Sequence, residues 1–177
     1  MNGEERRDAI LAILEGQARG AGRAPVSATR LAQTVDVSRQ VIVGDIALLR
    51  AQGKPIIATA RGYMMDGPAA AAGRYIGKIA CRHSAGDTEK ELAGIVEHGG
   101  EVIDVTVSHH LYGDITGQLN IATKQDAADF VARVRTGGER LLSELTGGMH
   151  LHTVACRDCD SFEAIKGWLR EQGLLYE

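Results

Sequence analysis

A chain of 177 residues with net charge −3, 44% apolar residues and only seven aromatic ones can hold one large domain or two small ones, with cores of Val, Ile, Leu and Ala. No apolar run approaches the ~20 residues of a transmembrane helix, and the opening MNGEERRDAI lacks the basic-then-apolar order of a signal peptide. Three cysteines in such a chain point to a reducing cytoplasm rather than a disulfide scaffold, so a cytoplasmic protein with no membrane partner is expected. Charge is uneven along the chain. Residues before Pro68 carry nine Lys/Arg against seven Asp/Glu, and the remainder eleven against sixteen. Only the first part has a sign that suits a polyanion, and weakly.

Three helical patterns open the chain. EERRDAILAILEG puts Ile10, Leu11, Ile13 and Leu14 at helical spacing, with Gly16 as the expected stop. VSATRLAQTV follows, with Ser27 as N-cap and Leu31 and Ala32 facing inward. After a short turn at Asp36, VSRQVIVGDIALLRAQG begins at Ser38 as N-cap and runs to Gly53. KPIIATARGYMM then reads as two short strands around Arg61-Gly62. Three helices and a hairpin make a winged helix-turn-helix domain over residues 1–67. Three short helices also pack together in proteins that never touch DNA. Here the tight turn and the residues opening the third helix favour DNA. Arg39 suits guanine and Gln40 adenine, while Ser38 with the helix N-terminus suits a phosphate. Arg61 at the hairpin tip would reach backbone or minor groove.

MMDGPAAAAGRY (Met64 to Tyr75) breaks the pattern and marks the expected seam. The second domain, residues 74–177, alternates again. RYIGKIACRH is a strand, TEKELAGIVEHGG a helix, and EVIDVTVSHH a strand with Ile103, Val105 and Val107 on one face. DITGQLNIAT follows through the turn-like LYGD. KQDAADFVARVRTGGERLLSEL is a helix broken at Gly137-Gly138, HLHTVACR a strand, and SFEAIKGWLREQG a closing helix. The order β-α-β-β-α-β-α predicts a two-layer α+β domain with a mainly antiparallel sheet.

No phosphate-binding glycine motif or nucleophile elbow occurs here. Histidines do: His83, the pair His109-His110 and the pair His150-His152, all at strand ends. Residues two apart on a strand share a face, so His150 and His152 project together. His83 ends the first strand and Glu91 lies on the next helix, which makes a first shell for zinc, nickel, copper or iron. The bland alternatives stand beside this. His-x-His is also a solvent-facing polar stripe, and Thr88 with Glu91 has capping-box spacing.

VSRQVIVGDIALLRAQG and IIATARGYMM, together with SHHLYGDI and GGMHLHT, resemble the niacin-responsive transcriptional repressors. That family joins a biotin-repressor-type winged helix to a regulatory domain named for three histidine motifs. The resemblance spans nearly the whole chain. It implies a homodimeric repressor of genes for NAD biosynthesis or niacin transport that binds double-stranded operator DNA with nicotinic acid as corepressor. It also implies an HPr-like regulatory fold and a bound transition metal, nickel or zinc, on His83, Glu91, His150 and His152. His109, with His110 and Tyr112 beside it, is placed near the effector. Two departures stand out: His110 replaces a common proline, and Gly44 replaces a usual arginine in the third helix.

Two rival classes remain at this stage. A metal-dependent hydrolase could activate water on zinc, but four protein ligands leave little room and no separate general base is evident. A metal-sensing repressor would use the ion itself as signal. Cys156 lies ~13 Å along the strand from His152, too far to share its ion. It and Cys159 read as ordinary thiols rather than a redox pair.

Overall fold

A computed structural model describes residues 2–19, 24–66 and 74–177. The chain divides into two compact units, Met1–Ala69 and Ala70–Glu177. The seam stretch 67–73 lies outside the described residues.

The first unit comprises α1 (Gly3–Arg19), α2 (Ala28–Thr34), α3 (Arg39–Ala51) and a hairpin of β1 (Ile56–Thr59) and β2 (Gly62–Met65). Ser27 and Ser38 cap α2 and α3 as expected, their hydroxyls accepting from Arg30 N and Val41 N. Each cap satisfies one backbone N–H that the first helical turn leaves open. Gly16 does not stop α1. It is exposed, and the helix continues to Arg19 because the ~1 kcal/mol penalty of one glycine is outweighed by good helix formers around it. Ile10, Leu14, Leu31, Ile42, Ile46, Leu49 and Ile56 form the core. Beside it Arg6 Nε donates to Asp45 Oδ2 at 2.6 Å, tying α1 to α3.

The wing is held to the helices by a backbone bridge. Val26 N donates to Tyr63 O at 2.8 Å and Tyr63 N to Val26 O at 2.9 Å. The approach leaves no room for a side chain at Gly62, where a Cβ would meet Val26 O at 2.2 Å and φ is +142°. Gly62→Ala is therefore expected to destabilise this unit by more than the ~1–3 kcal/mol of an unfavourable φ alone. Denaturant melts of the full chain would check this, and an unchanged midpoint would contradict it.

The second unit is a four-stranded antiparallel sheet in the order β3-β6-β4-β5. Its strands are β3 (Tyr75–Arg82), β4 (Glu101–His109), β5 (Gly113–Ile121) and β6 (Met149–Cys156). α4 (Thr88–Glu97), α5 (Lys124–Gly137) and α6 (Cys159–Glu171) complete the β-α-β-β-α-β-α order read from the sequence. α5 ends where expected, with Gly138 in the left-handed conformation, and a 3-10 turn at Leu142–Thr146 precedes β6. Ile79, Leu92, Ile95, Val102, Val154, Ile165 and Leu169 fill the core between sheet and helices. The C-terminal segment runs along the outer edge of β3, with Arg82 N donating to Leu174 O and Tyr176 N to Ala80 O. That edge is thus covered rather than open to pairing.

One strand departs from simple alternation. The register of β4 slips between Val102 and Asp104: against β6 Ile103 is the extra residue, while against β5 the extra residue lies on β5 between Gln118 and Ile121. Val102 takes the core position opposite Val154 and is fully buried, while Ile103 is half-buried. Val105 and Val107 stay on the expected face, but Ile103 does not extend it.

Candidate functional site

The helix-facing side of the sheet changes character at one end. Register places Cys81 opposite His150 and Ile79 opposite His152, so these side chains share one face. His83 follows β3, and Glu91 lies in the first turn of α4, pointing into the same space. Glu91 does not cap its helix. The N-cap position is Asp87, with Thr88 already inside the helix, and the Glu91 carboxylate is 1% exposed. His83 Nε2 lies 2.8 Å from Glu91 Oε2, His150 Nε2 3.2 Å from Oε1, and His152 Nε2 3.4 Å from Oε2. The solvent-facing reading of His150 and His152 fails, since each residue is 3% exposed.

The outer ring nitrogens fix the chemistry. His83 Nδ1 is 2.8 Å from Ser84 O, His150 Nδ1 2.9 Å from Gly148 O, and His152 Nδ1 2.7 Å from Asp104 O. A carbonyl only accepts, so each Nδ1 carries the hydrogen and each neutral ring turns an Nε2 lone pair toward Glu91. Three lone pairs and a carboxylate then face each other with nothing donated between them. Such a group needs a cation in its midst, either shared protons or a metal ion. Without metal, burial alone would raise the Glu91 carboxyl, but the charge of a protonated His152 and the contacts of His150, His152 and His83 outweigh it and hold the acid well below the usual range. Burial likewise opposes charge on His83 and His152, yet Glu91 raises both.

The spacing suits a metal. Ligands ~2.0–2.1 Å from one ion stand about 2.9–3.4 Å apart at octahedral to tetrahedral angles, close to the separations above. Carbonyls that orient each ring through Nδ1 are the outer partners a metal-binding histidine needs. His83 Nε2 is buried without an aligned hydrogen-bond partner, although Glu91 is near. The residues present therefore fit a divalent transition metal. Cys81 lies in the same pocket, where burial and then Glu91 push its thiol up. Sequence reading missed Cys81, whose place opposite His150 appears only in the pairing of β3 with β6.

Gly148 sets the pocket's mouth. Its φ is +91° and a Cβ there would lie 2.2 Å from His83 O. Gly148→Ala is thus expected to displace His83 and weaken metal binding without touching a ligand, by roughly the 10–100-fold typical of supporting residues. Equal metal affinity in the variant would contradict the expected displacement of His83.

Beside the cluster opens a groove of about 580 Å³ lined by Arg82, His83, Ser84, Ala85, Ser143, Glu144, Gly147 and Gly148. None but His83 was singled out in the sequence. His109, His110 and Tyr112 do not line it. They sit at the β4–β5 turn, at the same end of the sheet by register. The His109 ring stacks on His110 at 4.8 Å and on Tyr112 at 5.1 Å. His109 Nδ1 accepts from Leu111 N and Tyr112 N. His98, the remaining histidine, is satisfied by Gly94 O within its own helix.

In the first unit Arg39 and Gln40 are exposed in the opening turn of α3, next to the capping Ser38. Arg61 occupies the two-residue turn between β1 and β2 and is half-buried. Gly44 is exposed on α3 with nothing within 4 Å of a built Cβ. Gly44→Ala is expected to stabilise the unit by ~1 kcal/mol, measurable as a raised melting midpoint; a lowered one would mean a hidden constraint. Cys156 is buried at the far end of β6 from His150, Cys159 is exposed, and both are free thiols. Among the described residues no helix is long and apolar enough to cross a membrane.

Comparison with known proteins matches this division. An HTH domain is recognised over residues 6–64 and a 3H domain over residues 76–177. The chain is 37% identical over 174 residues to the probable transcription repressor NiaR of Thermotoga maritima, covering 98% of this chain and 95% of that one. It is 38% identical over 174 residues to the transcription repressor NadR of Bacillus subtilis, covering 98% and 94%. With its helix-turn-helix unit and histidine-bearing sheet in that order, the chain belongs to this family of HTH–3H transcription repressors, a family of regulators rather than enzymes.

Proposed function

We propose that the chain is a metal-dependent, nicotinic-acid-responsive repressor that acts as a homodimer on operators of genes for NAD biosynthesis or niacin transport. The observation that carries this reading is the buried His83, Glu91, His150 and His152 cluster opening onto a groove in a chain that also bears an HTH domain. A nickel or zinc ion held there would supply a Lewis-acidic contact for a ring nitrogen or carboxylate. The groove adds what a pyridine carboxylate needs. The Arg82 guanidinium suits the carboxylate, and the Ser84 and Ser143 hydroxyls give neutral donors. The stacked rings of His109, His110 and Tyr112 lie outside the groove, at the same end of the sheet, where a flat ring could stack on them.

A corepressor acts only by its differential affinity for the DNA-competent arrangement. In a dimer, that arrangement spaces two α3 helices for half-sites about one helical turn, ~34 Å, apart. Arg39 and Gln40 read base edges, Ser38 and the start of α3 meet a phosphate, and Arg61 reaches the backbone or minor groove.

Calorimetric titration of nicotinic acid into metal-loaded protein tests the proposal, with chelated protein and nicotinamide as controls. The acid should bind, chelation should abolish the signal, and the amide should bind weakly. If the acid does not bind while metal alone tightens operator binding, the protein is a metal sensor instead.

A further inference from the structure

The metal reading above uses His83, Glu91, His150 and His152 and leaves one donor in the same pocket idle. Cys81 is fully buried and stands directly opposite His150 across the β3–β6 pair. Its Sγ, a Glu91 carboxylate oxygen and a His150 ring nitrogen all lie within 4.8 Å of one another. A buried cysteine is usually a small apolar filler. This one abuts a carboxylate and an imidazole instead, next to the buried His83 Nε2 that has no aligned partner.

We infer that Cys81 is a fifth ligand, its thiolate binding the same ion as His83, Glu91, His150 and His152. This rests on the metal reading. The distances permit it, since a sulfur ~2.3 Å and a nitrogen or oxygen ~2.1 Å from one ion stand up to about 4.4 Å apart. A ligand at a right angle to the sulfur would stand about 3.1 Å from it, so ligation draws the thiol in from within 4.8 Å of Glu91 and His150 toward the ion. On ligation the sulfur–metal bond forms as the S–H proton leaves to solvent. Three imidazoles, one carboxylate and one thiolate then make a set that selects zinc, nickel or cobalt over magnesium, calcium or manganese.

Cobalt(II) titration of the demetallated full chain, followed by absorption, is the first test. Wild-type protein should develop an intense near-ultraviolet sulfur-to-cobalt charge-transfer band together with the visible d–d bands. Cys81→Ser should lose the charge-transfer band and bind cobalt at least about tenfold more weakly. Cys156→Ser and Cys159→Ser should keep the band. X-ray absorption of the zinc-loaded wild type needs no variant and should give one zinc–sulfur distance of ~2.3 Å. Cobalt bound with only nitrogen and oxygen ligands overturns the Cys81 assignment and leaves the centre standing. No cobalt or zinc binding by the wild type overturns the centre, and the fifth ligand with it.

Discussion

Glu91→Gln is expected to weaken divalent metal binding by more than about 100-fold and, at acidic pH, to lower the stability of the chelated protein as well. The two halves of this result come from one change. Glu91 is the carboxylate that all three Nε2 atoms face, at 2.8, 3.2 and 3.4 Å. Removing its charge leaves the three imidazoles and the Cys81 sulfur, and the amide oxygen is a much poorer ligand. Affinity should fall well beyond the roughly 10–100-fold lost when a supporting residue is removed. In the absence of metal the carboxylate pairs with the protons that His83 and His152 take up, and Glu91 raises both. Its removal therefore also costs stability, a contribution fully present below the ordinary histidine pKa and fading as pH rises through the raised values. The measurement is thermal unfolding of both proteins with chelator and with excess zinc or nickel. At metal concentrations 100 times the dissociation constant, wild type gains about 2.7 kcal/mol. For a unit of roughly 100 residues that is a rise of about 10–20 °C, and Glu91→Gln should show little of it. An equal rise in both proteins would mean the metal binds elsewhere. Nicotinic acid response should vanish along with the metal.

Which features were legible in the sequence follows from how far each determinant lies along the chain. Ser27 and Ser38 were readable because a cap joins a side chain to a backbone N–H three residues on. His150 and His152 were readable as a pair because strand alternation is local. That His83 and Glu91 join that pair was read as one of two alternatives from their places at a strand end and on the next helix, and family resemblance added weight to it, since no spacing rule dictates which helix covers which strand. Cys81 was missed for a related reason. Its meaning appears only once β3 is known to pair with β6 in a register that sets Cys81 against His150. The bulge at Ile103 depends on the pairing with β6 and has no signature within β4. Gly16 was misread because glycine is a strong stop only where a left-handed residue is needed. In an exposed helix position it costs ~1 kcal/mol and the helix continues. The carbonyls of Ser84, Asp104 and Gly148 that orient the rings are backbone atoms, which side-chain identity cannot announce.

Arg39→Ala is expected to weaken operator binding by about 1–3 kcal/mol, or roughly 5–150-fold, and to relax the preference for one guanine. Gln40→Ala should do the same at an adenine. Both side chains are exposed in the first turn of α3, where helix-turn-helix proteins meet base edges. The form of the loss matters more than its size. A residue that reads a base loses affinity chiefly for the preferred sequence and leaves the salt dependence unchanged. A residue that grips a phosphate weakens all sequences alike and lowers the salt slope by about one. Binding to the operator and to single-base variants, each at several salt concentrations, separates the two. Ser38→Ala serves as the contrast. It removes the cap from Val41 N, which costs ~1 kcal/mol of stability, and should weaken every sequence equally. Gly44 sharpens the case for the first turn. With no side chain at that position, α3 has no long cation midway along its exposed face, so discrimination has to come from its N-terminal residues. If Arg39→Ala instead weakens every sequence alike with a shallower salt slope, Arg39 is a phosphate contact, and base reading falls to Gln40 and the wing.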